Sequence, residues 1–173
     1  MTSSDIFLID ANALITPYRF YYAFDIAPSF WGKLADAFKN NQIVLLDKVK
    51  DELLKGEDDL TNWIKANEEI IGVCNYKTES VISNYQSVLQ YIQTSGLYKE
   101  SALAAWVPAN IADPWLIAAA KANGYTVVTL EVSSRGLNTK TPNKVAKIPD
   151  VAEALGVKTS SLFEMMRTLG IML

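Results

Sequence analysis

Short apolar runs alternate with helix-patterned stretches along this chain, and an acidic residue stands at or beside the end of several of them. FLI runs into Asp10, VKDELL carries Glu52, DPWLIAAA opens on Asp113, and TVVTL closes on Glu131. Alternation of this kind folds into an α/β architecture with a mostly parallel sheet. Ligands of such sheets bind outside the carboxyl ends of the strands. Asp10 and Glu131 are expected at two such ends.

The runs place the elements. Residues 5–9, 42–46 and 125–130 read as strands, with a shorter one at 144–148. Asp10-Ala11-Asn12 reads as a turn. Residues 18–39 read as helical, interrupted near Pro28, with Tyr18, Tyr21, Tyr22, Phe30, Trp31 and Phe38 on the buried side. Asp47 is positioned to cap a helix that ends at Gly56. Between 57 and 109 the apolar spacing predicts two or three helices, with Gly72-Val73-Cys74 near a break. Asp113-Pro114 predicts a capped helix start, and Asn123-Gly124 its end. Pro149-Asp150 begins another helix, with Asp150 as a cap. Ser161 and Glu164 form a capping-box pattern for the last one. One domain over residues 1–173, with a helical segment at about 57–109, accommodates these elements.

The chain has no histidine and one cysteine. Ser-His-Asp and Cys-His nucleophile systems are thereby excluded in their usual forms, as is histidine or thiolate zinc. Walker A and GxGxxG motifs are absent. Carboxylates without imidazole suit hard divalent cations, which prefer oxygen ligands. Charge is uneven. Residues 1–131 carry 10 Lys+Arg against 16 Asp+Glu, and residues 132–173 carry 6 against 3. The basic part begins at Arg135, Lys140, Lys144 and Lys147. It suits a polyanion held over an acidic site, or equally a solvated loop. No apolar run approaches a membrane span, no leader pattern opens the chain, and the lone Cys74 has no internal partner, so a cytoplasmic location is expected.

Each acid has an ordinary explanation beside the chemical one. Asp10 is placed to cap a turn. Glu52 shares a helical face with Val49 and Leu53, where burial would call for a neutralising metal, yet it also lies within reach of Lys48 or Lys55. Asp113 is placed to cap its helix, and Glu131 is a polar strand end. Trp115, next to Asp113, is placed to pack in the core or to stack on a base. What favours chemistry is that four carboxylates gather at one end of one sheet.

The segments FLIDANALI, VKDELL and IADPWLIAAAKANGYTVVT, followed by the glutamate after TL, together resemble a PIN domain. KIPDVAEALGV and the final helix are similar to the closing part of a prokaryotic subgroup. The resemblance implies a three-layer α/β/α sandwich and a Mg²⁺- or Mn²⁺-dependent endoribonuclease of the VapC toxin type. It puts Asp10, Glu52, Asp113 and Glu131 in the four acidic positions, with Asp10, Asp113 and Glu131 as metal ligands. Asn12 and Thr129 take the flanking polar positions, and Lys140, Lys144 and Lys147 are candidates to grip RNA. The fourth acid is more often aspartate in that family. The resemblance also implies a homodimer and, for a toxin, a cognate antitoxin. The alternatives are a non-catalytic PIN-like module binding RNA or protein, and a haloacid-dehalogenase-like phosphatase. The phosphatase wants a second acid where Asn12 stands.

Overall fold

The structure is a computed structural model that describes residues 5–173. Residues 1–4, where the leader reading begins, lie outside the described residues. Five parallel strands form one sheet in the order β3-β2-β1-β4-β5: β1 Phe7–Ile9, β2 Ile43–Leu46, β3 Gly72–Cys74, β4 Thr126–Val128 and β5 Thr159–Ser160. Helices flank the sheet, as the α/β/α sandwich requires. No helix of the described residues is long and apolar enough to cross a membrane.

The three central strands are short and wholly apolar apart from Thr126. Phe7, Leu8, Ile9, Ile43, Leu45, Leu46, Val127 and Val128 are all buried. Parallel strands covered on both faces need such runs. Register aligns Leu8 with Val44 on one side and Val127 on the other. Since the chain leaves β1 for β2 on one side and returns as β4 on the other, the strand order reverses at β1. A crevice forms at the carboxyl ends of β1 and β4.

The helices are α1 Asn12–Phe20, α2 Pro28–Lys39, α3 Asp47–Leu54, α4 Asp59–Ala66, α5 Glu79–Thr94, α6 Glu100–Trp106, α7 Asp113–Asn123, α8 Ile148–Ala154 and α9 Leu162–Thr168. The expected turn at 10–12 is tighter than foreseen. The Asp10 and Ala11 carbonyls accept from Ala13 and Leu14, so helix starts at Asn12 rather than 18. The expected helix over 18–39 is interrupted between Phe20 and Pro28, and the residue preceding Pro28 keeps out of the helical region. Ala27 obeys, with φ −131° and ψ 59°. Tyr21, expected on the buried side, is exposed in that break. Trp31 is buried between Phe24, stacked at 4.3 Å, and Trp63, edge-on at 5.1 Å.

Within 57–109 three helices form as expected, but Gly72-Val73-Cys74 is a strand pairing with β2. Helical apolar spacing on both sides hid three residues at a sheet edge. β5, two residues long, was equally invisible. The expected strand at 144–148 is absent. Asn143 makes a single bridge to Tyr98, and by Ile148 the chain is already helical. Pro149, ideal at a helix start and poor inside a ladder, decides that segment. The expected helix end at Asn123-Gly124 holds: Gly124 takes positive φ, as do Gly156 after α8 and Gly170 after α9. The Ser161–Glu164 capping box is complete.

Candidate active site

Asp10 leaves the end of β1 with its amide bonded to the Val128 carbonyl of β4. That pairing aims its side chain into the crevice. The residue is 6% exposed. The Thr129 hydroxyl donates to its Oδ2 at 3.5 Å, a long contact, and accepts from the Glu131 amide at 3.1 Å. Thr129, itself buried, thus ties the acid of β1 to the segment after β4. The Asp10 carboxyl is pushed up to about 7, first by burial, then by the charges of Asp113 and Glu131; the Ala11 amide opposes the shift.

Asp113 is the first residue of α7, one position past the expected cap. The cap is Ala112, with no side-chain hydrogen bond. The expectation that Asp113 caps its helix is therefore wrong: in the first helical turn its carboxylate has only its own amide nearby. It is half-buried and pushed up to about 6, again by burial before the charges of Glu131 and Glu52, with Lys147 pulling it down. α7 behind it is buried continuously from Pro114 to Ala120, so this carboxyl group stands on a rigid base.

Glu52 lies on α3 and lines the same groove as Asp10, Asn12 and Asp113. It is exposed, contrary to the burial its helical face suggested; Val49 and Leu53 alone carry the buried stripe. Among the described residues it pairs with neither Lys48 nor Lys55. Asn12 is exposed at the start of α1 and also lines the groove.

Glu131 sits three residues beyond β4 rather than at its end. Its Oε2 accepts from the Ile148 amide at 2.6 Å, and its Oε1 lies 3.9 Å from Lys147 Nζ. One carboxylate oxygen thus holds the opening of α8. It belongs to the acidic group electrostatically, since it raises both aspartates.

Of the basic residues, Lys147 is brought to the acids by Glu131. Lys140 and Lys144 lie exposed in the loop before α8. Arg135 belongs to the same loop. Asp150 is no cap: it lies inside α8, nearly buried, and both its oxygens accept from the Ser134 amide at 3.1 and 2.9 Å. It pins the start of the basic loop. Asp47, expected as a cap, is the first residue of α3 and accepts from the Tyr76 amide as well as from Lys48. Trp115 is core: it is buried and stacked on Tyr85 at 3.7 Å.

Sequence reasoning missed Lys48, Lys55, Asp51 and the 110–112 segment as groove residues. A signal existed for the lysines, since positions 48, 52 and 55 share one helical stripe. Among the described residues, no three acidic or cysteine side chains converge tightly enough to form a ready-made metal cage. Bare carboxylates repel one another, as the raised values of Asp10 and Asp113 show. The donor set nonetheless fits a hard cation: oxygen ligands, one of them buried, with excess negative charge.

Among curated proteins nothing matches the chain. A crystal structure of VapBC2 from Rickettsia felis, bound to a DNA fragment from their promoter, is similar over 90% of this chain and 98% of its own. The TM-score is 0.55 at 13% identity, a likeness of fold. The fold is PIN-like, as the motifs led us to expect. Residues 7–173 match the model of a domain of unknown function, DUF4411, and the chain belongs to that family.

Proposed function

We propose that this protein is a metal-dependent ribonuclease that hydrolyses RNA phosphodiester bonds and serves as the toxin of a toxin–antitoxin pair. The observation that carries the reading is the unbalanced charge at the crevice. Asp10 and Asp113 are held up to about 7 and about 6 by burial and by other acids. A fold without a ligand to bind has no reason to keep two such carboxyl groups facing one groove.

Asp10, Asp113 and Glu131 would hold Mg²⁺ or Mn²⁺, with Glu52 completing the acidic site. The bound ion supplies activation of water and stabilisation of charge developing on the phosphate. The chain's residues do the rest. Thr129 orients Asp10 through its hydroxyl and fixes the Glu131 amide. The Ile148 amide fixes one Glu131 oxygen and leaves the other free but for a distant Lys147. Asn12 and Glu52 reach the groove from exposed positions, where they meet solvent and substrate. The PIN-like fold shared with VapBC2 supports the toxin reading and an antitoxin partner. The family resemblance supports a homodimer, and the single cysteine supports a cytoplasmic location.

One observation favours a second reading, a non-catalytic PIN-like module for RNA or protein: the acids do not form a cage by themselves. The deciding experiment is incubation of total and structured RNA with the purified protein and Mn²⁺ or Mg²⁺, with EDTA and with Asp10→Asn and Asp113→Asn. Metal-dependent cleavage abolished by both substitutions supports the nuclease. RNA binding without cleavage in any metal supports the module.

A further inference from the structure

The groove that contains the acids also contains two lysines. It has a volume of about 440 Å³ and runs between α3 and the segment before α7. Lys48, Glu52 and Lys55 line its α3 wall in the order cation, acid, cation. Neither lysine makes an ion pair with a carboxylate among the described residues, although Asp51 and Glu52 share the wall with them.

Lys48 is held away from the acids. Its Nζ donates to the Ala109 carbonyl at 2.7 Å and lies 4.0 Å from the ring centroid of Tyr76 and 5.2 Å from that of Trp115. The two rings meet edge-on at 5.0 Å, and Tyr85 backs Trp115. An aromatic face attracts a cation without taking up one of its donors as a carboxylate would. An ammonium has three donors, and Ala109 takes one. The side chain is also half-buried and fixed at its tip, so contact with a ligand costs little further rotamer entropy. A lysine whose job was to neutralise the acids would lie on them. This one lines the same groove with no carboxylate partner among the described residues, where its charge is open to an anion.

We propose that Lys48, seated on the Tyr76–Trp115 shelf, binds a phosphate of the RNA strand next to the one placed over the acids, and that Lys55 binds a further phosphate about 10 Å along α3. The assignment rests on the ribonuclease reading and gives its substrate contact to α3. Lys140 and Lys144, in the exposed loop before α8, lie outside the groove lining. Lysine suits the task as a point-charge phosphate contact.

The test is fluorescence anisotropy with a fluorescein-labelled single-stranded RNA of mixed sequence, in Mg²⁺, on an Asp113→Asn background that blocks cleavage. Salt is varied for each variant. Lys48→Ala is expected to weaken binding about tenfold and to flatten the slope of log affinity against log salt by about 0.7. Lys48→Arg should keep the slope, and Tyr76→Leu should weaken binding while keeping it. Lys48→Gln, which retains a donor for the 108–112 segment, should lose the slope like Lys48→Ala and guards against a folding defect. RNA binding that is untouched by Lys48→Ala and Lys48→Gln but loses its slope in Lys140→Ala/Lys144→Ala overturns this assignment alone. Absence of RNA binding at low salt both in the Asp113→Asn protein and in the parent protein with Ca²⁺ in place of Mg²⁺ overturns it together with the ribonuclease reading.

Discussion

Asp10 and Asp47 each follow directly on a parallel strand, β1 and β2, at the same edge of one sheet. Asp47 is satisfied. It accepts from the Lys48 and Tyr76 amides and so ties the start of α3 to the segment after β3. Asp10 is more deeply buried and less well served, with a 3.5 Å hydroxyl contact and the Ala11 amide against three other acids. The same contrast recurs at two helix starts. Asp150 in α8 accepts twice from Ser134, whereas Asp113 in α7 has only its own amide. Satisfied carboxylates build the scaffold. The two left short of partners face one groove, and burial of that kind is tolerated where a ligand completes it.

This contrast breaks first if the unsatisfied acids can be removed without loss. Asp10→Asn and Asp113→Asn are each expected to lower metal-dependent RNA cleavage by about 10²–10³-fold, the scale for deleting one stabilising group in an active site. Asp47→Asn should leave the cleavage rate per folded molecule within a few-fold, measured in the same gel assay.

The second difference is in pH dependence without metal. Both aspartates have folded values above their ordinary 3.8. The folded state therefore holds protons that the unfolded chain has released. Stability contributed by Asp10 is full below about pH 4 and is lost as pH rises to about 7; for Asp113 the loss is complete near 6. The two shifts correspond to about 7 kcal/mol, which the mutual coupling of the acids and solvent screening of the half-buried Asp113 reduce to on the order of 3–4 kcal/mol, read by urea titration in EDTA across that window. Asp10→Asn should flatten the curve. Mn²⁺ at neutral pH should raise the melting temperature of the parent protein and leave Asp10→Asn nearly unmoved.

The satisfied acids should behave in the opposite sense. Asp47→Ala and Asp150→Ala each leave amides without their acceptor and should cost about 1–3 kcal/mol in denaturant midpoints. Glu131 stands between the classes, with one oxygen at work in the scaffold. Glu131→Gln keeps an acceptor for the Ile148 amide, so stability should change by less than about 1 kcal/mol. Cleavage should fall, by less than in Asp10→Asn. Equal loss of both quantities would make Glu131 a scaffold residue only.

Much of this was legible in the residues, because the strongest signals were local. FLI, IVLL and TVV are apolar strands between polar ends, and DPWLIAAAKANG carries its own start and stop. The capping box at Ser161 and Glu164 is a four-residue pattern and formed as read. What escaped depends on pairing at a distance. Gly72-Val73-Cys74 becomes a strand only because β2 offers an open edge, and Thr159-Ser160 only because β4 does. Within the site, the acids were identified by position, but their surroundings were not. Whether Asp113 caps its helix or faces a groove is a matter of one residue's offset. Whether Asp150 caps α8 or pins a loop depends on Ser134, sixteen residues earlier. Lys48 was read as an ion-pair partner, since the ring it rests on, Tyr76, lies in the turn after β3, far along the chain.

The order of strands has a consequence for the newly made chain. β1 is made before both of its neighbours, β2 and β4, and the hydroxyl that orients Asp10 is 119 residues away. Pairing across such a span is slow, and it cannot begin until the later strand has been made. The two halves of the crevice thus stay apart until β4 has been made. Asp10 meets Thr129 only once Val128 has docked beside Ile9, and Glu131 is anchored only when Ile148 follows. Whatever chemistry the crevice performs is delayed by topology until the segment from β4 to Ile148 has been made.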